Sequence, residues 1–263
     1  MIIKWPGGKK WIPLKHNSLF PTKYNTYLEP FMGSGAVFFG LQPKQALLSD
    51  INPRLINLFS KLKEDPKSLY DKTQSLIHSH SEEQYYEIRH KFNTSEPSAV
   101  NFLYLNRTCF NGVYRENKKG EFNVPIGKRN SSFFPFNFEE FQSFSIALKN
   151  TELSCEDCFS ALTKAKEGDF IYIDPPYLKQ ENNYESFRKY GKDIFDRENL
   201  IQLSSELEKL SSKCKILISN FDQEDVKVLF NSNWNIKPVE QMSYISGSGK
   251  GRKAMKEVLI YNY

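Results

Sequence analysis

The stretch Asp169-Phe-Ile-Tyr-Ile-Asp-Pro-Pro-Tyr177 constrains this chain more than any other. Phe170, Ile171, Tyr172 and Ile173 are β-favouring and apolar without alternation, the pattern of a strand buried on both faces in a parallel sheet. Pro175 and Pro176 have no N–H to give to a ladder, so the strand stops at Asp174 and the chain turns outward. An acid, a proline carbonyl and the ring of Tyr177 are thereby presented at the carboxyl end of a strand, where open α/β sheets bind their ligands. A plain proline turn, with Asp174 making a local hydrogen bond, is the other reading of the same residues.

A second landmark lies upstream. Tyr24-Asn-Thr-Tyr-Leu-Glu-Pro30 reads as a strand, Phe31-Met-Gly-Ser-Gly35 as a tight turn, Ala36-Val-Phe-Phe-Gly-Leu41 as a helix and Ala46-Leu-Leu-Ser-Asp50 as a second strand ending in an acid. This is the first half of a nucleoside-binding βαβ unit, with Gly33 and Gly35 allowing close approach of a ligand and Asp50 placed for ribose hydroxyls. The third glycine of the dinucleotide fingerprint is missing, and Glu29 before the turn would repel a pyrophosphate but suit a cation. Lys4-Trp-Pro-Gly-Gly-Lys-Lys10 is a turn-rich basic segment. Its Trp5 either stacks on a ligand or caps the core as part of an ordered arm.

From Asn52 to about Asn106 the apolar residues follow a helical period: Leu55, Ile56, Leu58, Phe59 and Leu62, later Tyr85, Ile88 and Phe92, then Leu103 and Tyr104. A helical insertion into the sheet is expected there. Between Asn106 and Arg129, basic, aromatic and amide residues alternate with glycine turns. That composition fits either a nucleic-acid contact hairpin or a solvated basic one. Strands are expected over 152–156, 215–220, 234–239 and 257–263, and helices over 158–166, 196–212 and 224–230. Residues 178–195 form a long polar loop suited to a lid. The loop Ser246-Gly-Ser-Gly-Lys-Gly-Arg-Lys253 is not a phosphate-binding P-loop, because Gly251 follows Lys250 and a strand, not a helix, comes next. Backbone contact to a nucleic acid through Lys250, Arg252 and Lys253 is the better functional reading, beside a simple surface loop.

At 263 residues, with 39% hydrophobic and 25% charged residues, the chain can bury a substantial core. A net charge of +5 is compatible with a polyanionic partner without requiring one. Cys155-Glu-Asp-Cys158 has C-x-x-C spacing, but no second pair of cysteines or histidines completes a zinc site, so no metal is expected. No apolar run is long enough to span a membrane and no leader precedes the first motif, so a cytoplasmic protein without membrane contact is expected.

Taken together, the ordered motifs Lys4-Trp-Pro-Gly-Gly-Lys9, Glu29-Pro-Phe-Met-Gly-Ser-Gly35, Asp50-Ile-Asn52, Phe110-Asn-Gly-Val-Tyr-Arg115, Gly120-Glu-Phe-Asn-Val-Pro125 and Asp174-Pro-Pro-Tyr177 resemble those of the Dam-type, or D12 class, adenine-N6 DNA methyltransferases in their α arrangement. The resemblance spans nearly the whole chain. It implies an α/β fold: a Rossmann-like, mostly parallel sheet over residues 1–55 and 151–263, with an inserted, mainly helical target-recognition domain over 56–150 and a basic hairpin. It implies S-adenosyl-L-methionine as cofactor, double-stranded DNA as partner and a monomeric protein. Asp174, Pro175 and Tyr177 would act on the adenine, as two acceptors for its exocyclic amine and a stacking ring. Trp5, Lys9, Glu29, Phe31, Gly33, Gly35, Asp50, Asp157 and Asp174 would hold the cofactor. Lys4, Phe110, Asn111, Val113, Arg115, Pro125, Lys128, Lys250 and Arg252 would contact DNA, with Arg115 reading a guanine and Phe110 and Asn111 wedging where the adenine leaves. Phe110 stands where the family often has tyrosine, and Val113 where it has leucine. GATC is the expected target.

Overall fold

All four residues of the strand Phe170–Ile173 are buried, and alternation divides their side chains between two cores. Phe170 and Tyr172 face one cluster, Ile171 and Ile173 the other, as the period of two in a pleated strand requires. The computed structural model describes residues 1–95, 98–128, 134–177, 195–230, 233–242 and 254–263.

The chain opens with helix α1 (Trp11–Lys15), strand β1 (Tyr27–Glu29), helix α2 (Ala36–Leu41) and strand β2 (Ala46–Asp50). Helices α3 (Pro53–Glu64), α4 (Pro66–His78), α5 (Glu82–Thr94) and α6 (Ala99–Thr108) follow. A hairpin bridged at Cys109–Ile126 and Glu116–Phe122 leads on to α7 (Phe138–Ala147). Next come β3 (Thr151–Cys155), α8 (Cys158–Leu162), β4 (Phe170–Ile173), α9 (Arg197–Ser211) and β5 (Lys215–Phe221). The last elements are α10 (Glu224–Leu229), β6 (Asn235–Met242) and β7 (Ala254–Tyr261).

The seven strands form one sheet in the order β3-β2-β1-β4-β5-β7-β6. All pairs are parallel except those of β7, which runs antiparallel to β5 and β6. The mostly parallel α/β sheet expected from the sequence is thus present. Chain order reverses at the β1–β4 pair, so the loops leaving these two strands part and leave a crevice at their carboxyl ends. One face of the sheet is covered by α8, α9 and α10; on the other, Tyr27, Phe38, Leu48, Phe170 and Tyr172 share a single core with helices α3 to α7.

Several element ends differ from expectation for local reasons. β1 is shorter than 24–30 because the Thr26 N–H goes to the Asp169 carboxylate at 3.0 Å and the Asn25 N–H to the Gly168 carbonyl. Helix α8 ends at Leu162, and i→i+3 bonds from Lys164 and Ala165 tighten the chain toward Gly168 at φ +82°. β6 extends to Met242 and tolerates Pro238 because it is the edge strand. Asp196 caps α9 as expected, accepting from the Asn199 N–H at 2.9 Å.

The amino-terminal segment is fastened by a side chain. Asn106 on α6, 1% exposed, accepts from the Lys4 N–H at 2.9 Å and donates to the Lys4 carbonyl at 2.8 Å, imitating a strand neighbour. Asn106→Ala removes both bonds and is expected to cost about 1–3 kcal/mol of stability. Urea unfolding of the two proteins checks this; equal midpoints would show that the clamp contributes nothing.

Candidate active site

β1 ends in Glu29-Pro30 and β4 in Ile173-Asp174-Pro175, and because the strands are parallel neighbours both acids open into the same crevice. A cleft of about 1030 Å³ runs from this point past the glycine turn to the amino end of α8. Trp5, Lys9, Glu29, Phe31, Gly33, Asp50, Asp157, Asp174, Pro175 and Tyr177 all line it. Gly35 does not line it; this residue takes φ +64° at the start of α2, where an added Cβ would meet the Phe39 ring at 3.0 Å.

The glycine turn and β2 are joined through Asp50. One carboxylate oxygen accepts from the Gly33 N–H at 3.0 Å and the other from the Asn52 N–H at 3.0 Å, while Asn52 itself caps α3. Burial raises the Asp50 pKa against the pull of these two N–H groups. Gly33 has φ +47°, and an added Cβ would touch the Trp5 ring at 3.0 Å. Trp5 in turn stacks on Tyr114 of the hairpin, centroids 5.0 Å apart. Trp5 therefore packs on the protein, and it also borders the cleft. Asp157 caps α8, accepting from the Phe159 and Ser160 N–H groups and from the Ser160 hydroxyl, which hold its pKa down.

Glu29 is 2% exposed and accepts from the Tyr27 hydroxyl at 2.8 Å. Burial is the main reason its pKa is pushed up to about 8, with Asp174 and Asp50 adding to the rise and hydrogen bonds from Tyr27 and Phe38 opposing it. Near neutral pH it therefore carries a proton, where the sequence led to the expectation of a negative charge.

Asp174 is more open. The Ser219 hydroxyl donates to its Oδ1 at 2.9 Å. The Tyr172 hydroxyl lies 2.8 Å from Ser219 Oγ and, since that serine proton is committed, must donate to it. Lys9 Nζ stands 3.6 Å from the same Oδ1 and 3.2 Å from Glu257. Among the described residues no hydrogen bond engages Oδ2. Tyr177 is buried, its hydroxyl donating to Glu257 at 3.0 Å and its ring packed on Phe221 at 4.3 Å, with Lys9 Nζ 4.4 Å from the ring centroid. Sequence reasoning missed Ser219 and Glu257. The available signal was a polar residue inside an apolar strand: Ser219 after Ile216-Leu-Ile218, Glu257 before Val258-Leu-Ile260.

The residues expected at DNA gather around the hairpin. Phe110 is 49% exposed, and its N–H donates to the Pro125 carbonyl at 2.9 Å. Asn111 adopts φ +54°, and Gly112 presses so closely on Lys4 that a Cβ would overlap its side chain. Val113 and Arg115 flank the inward Tyr114, and Arg115 Nε donates to Asn123 at 2.8 Å. Lys128 is exposed just beyond the hairpin. A hydrogen-bonded pair of Arg54 on α3 and Glu116, at 3.3 Å, ties the hairpin to the cleft wall. Lys250 and Arg252, and the loop over 178–194, lie outside the described residues.

Residues 5–245 match the family model described as D12 class N6 adenine-specific DNA methyltransferase. The chain is 34% identical to the DNA adenine methylase of Haemophilus influenzae, covering 98% of this chain and 91% of that protein. It is 34% identical to the Type II methyltransferase M.MjaIII of Methanocaldococcus jannaschii, over 99% of this chain and 98% of that one. A third relative is the Type II methyltransferase M1.LlaDCHI of Lactococcus lactis subsp. cremoris, 31% identical over 99% and 94% of the two chains.

The state of Glu29 sets a pH dependence with a definite sign. The unfolded chain releases this proton near the ordinary value of 4.5 and the folded chain near about 8. Between those values the folded state binds the extra proton, so stability falls as pH rises through that window and the loss is constant above it. Glu29→Gln cannot ionise and is expected to lose this component of the decline. Urea midpoints compared across the window test it, and a wild-type-to-variant difference that stays flat with pH contradicts it.

Proposed function

The chain belongs to the D12 class of N6 adenine-specific DNA methyltransferases, and on that premise we propose that it transfers the methyl group of S-adenosyl-L-methionine to an adenine flipped out of duplex DNA, with GATC as its target. The observation that carries the reading is the state of Asp174 at the carboxyl end of β4, with Oδ1 accepting from Ser219 and Oδ2 in no hydrogen bond among the described residues.

The cleft suits the cofactor by its chemistry. It is large enough for a nucleoside joined to an amino acid, the glycine turn permits close approach, and its acids Glu29 and Asp50 match a cationic centre and ribose hydroxyls. When bound, S-adenosyl-L-methionine supplies an electrophilic methyl group. Glu29 gives up its proton as the cation settles beside it, so binding strengthens as pH rises toward about 8. Phe31 and Trp5, which line the cleft, would border the cofactor, and Asp157 would reach its adenine.

The amine of adenine is a weak nucleophile because its lone pair is delocalised into the ring. Asp174 Oδ2 and the Pro175 carbonyl accept its two N–H groups, favour a pyramidal nitrogen and aim the lone pair at the methyl group. Among the described residues the β4 ladder ends at Ile173, before the proline carbonyl. Tyr177 would supply the aromatic wall, and direct in-line transfer would break the S–CH3 bond as the N–CH3 bond forms, with S-adenosyl-L-homocysteine leaving and the surplus amine proton passing out through its hydrogen bond to solvent. Extrusion of the base costs on the order of a few kcal/mol, offset by these contacts.

Residues 56–150 form the target-recognition part in this reading. Arg115, Val113 and Lys4 read base edges, Phe110 and Asn111 fill the gap left by the adenine, Pro125 supports Phe110, and Lys128, Lys250 and Arg252 meet phosphates.

Sequencing methylated positions after incubation with duplex DNA and S-adenosyl-L-methionine reads modified base and context together. Methylation of anything but adenine overturns the reading. Asp174→Ala is expected to slow transfer by at least about 10²–10³-fold while DNA binding persists, and a wild-type rate in that variant removes Asp174 from the chemistry. Arg115→Ala is expected to lose about 1–3 kcal/mol of discrimination at one guanine. Relative rates on substrates altered at each position of the site check this, unchanged ratios being the contrary result.

A further inference from the structure

We propose that Glu257 is a positioning residue for methyl transfer, orienting the Tyr177 ring and keeping the Lys9 ammonium from closing on Asp174. The inference rests on the assignment of Asp174 to Tyr177 as the adenine pocket.

Glu257 lies in a strand whose next residues, Val258, Leu259 and Ile260, are fully buried, and it is itself 5% exposed. A carboxylate is held in such a place only when its charge and lone pairs are met. Lys9 meets the charge at 3.2 Å and the Tyr177 hydroxyl donates to the same Oε2 at 3.0 Å. β7 delivers Glu257 opposite Phe221 of β5, and Phe221 is the ring on which Tyr177 packs.

Two consequences follow for the pocket. Pro175 and Pro176 carry no N–H, so neither donates a ladder bond to the backbone leading to Tyr177. The ring is held from its far end, by the hydroxyl on Glu257 and by Phe221. Lys9, for its part, is one cation between two acids, nearer Glu257 than Asp174 at 3.2 against 3.6 Å. With the Glu257 charge gone, the ammonium has Asp174 as its remaining counter-ion. A full ion pair there competes with the adenine amine for the carboxylate. Glu257 thus acts on the amine through Tyr177 and Lys9 and touches neither substrate nor cofactor.

Glu257→Gln keeps an acceptor for the tyrosine hydroxyl and removes the charge; Tyr177→Phe keeps the ring and removes its latch. Both are compared with wild type on a duplex carrying one target adenine, by single-turnover methylation and DNA affinity. A second duplex carries 2-aminopurine at the target position, a base whose fluorescence is quenched by stacking. Each variant is expected to be slower by on the order of 10–100-fold, with DNA affinity within about threefold of wild type. Tyr177→Phe is also expected to brighten the 2-aminopurine signal, which a loss of stability alone leaves unchanged. A wild-type single-turnover rate in Glu257→Gln overturns the proposal. If that variant does not fold, Tyr177→Phe decides, and a wild-type rate and fluorescence there overturn it. Wild-type protein that methylates no adenine sinks the adenine-pocket reading and this inference with it, whereas active wild type with unaffected variants sinks the inference alone.

Discussion

The pairing of β1 with β4 is the constraint on which the remainder depends. Tyr27 stands opposite Phe170 and Leu28 opposite Ile171, so two parallel strands end within one interstrand spacing of each other. The start of that ladder is pinned by Asp169, whose buried carboxylate takes the N–H groups of Thr26 and Lys166. A slip of the register by one residue would turn Phe170 and Tyr172 toward the opposite core and carry Asp174 away from Glu29. Local backbone chemistry at residues 166–170 therefore sets the separation of two acids at the far end of the strands.

Those acids crowd a small space, and the protein manages the crowding by different means. Glu29 is buried and keeps its proton. Asp50 spends both oxygens on backbone N–H groups. Asp174 stays half open, its charge tempered by a hydroxyl chain from Tyr172 through Ser219 and by a share of Lys9. Burial raises the proton affinity of both Glu29 and Asp50, and the backbone N–H groups on Asp50 oppose that rise.

What could be read in the sequence was what acts locally. Two consecutive prolines carry no ladder donor, and Gly33 at φ +47° marks a turn that its neighbours announce, so the strand end before Asp174 and the glycine turn are both legible in the sequence. Glu257 and Ser219 reach the site through neighbouring strands. A polar residue in an apolar run indicates a buried partner but does not identify it. The overlong expectation for β1 has the same origin: the β preference of residues 24–26 is real, but the Thr26 N–H is taken by an aspartate 143 positions away. Lys9 was expected beside the cofactor and does line the cleft, yet its ammonium faces Asp174 and Glu257.

The amino-terminal segment links parts that would otherwise be separable. Lys4 is clamped by Asn106 and pressed by Gly112, Trp5 lies between the hairpin's Tyr114 and Gly33, and Lys9 ends among the acids of β4 and β7. Six consecutive residues thus serve as a common footing for the hairpin, the glycine turn and the strand end. Hairpin, glycine turn and strand end are therefore not independent bodies: a shift of any one of them is passed to the other two through Lys4 to Lys9.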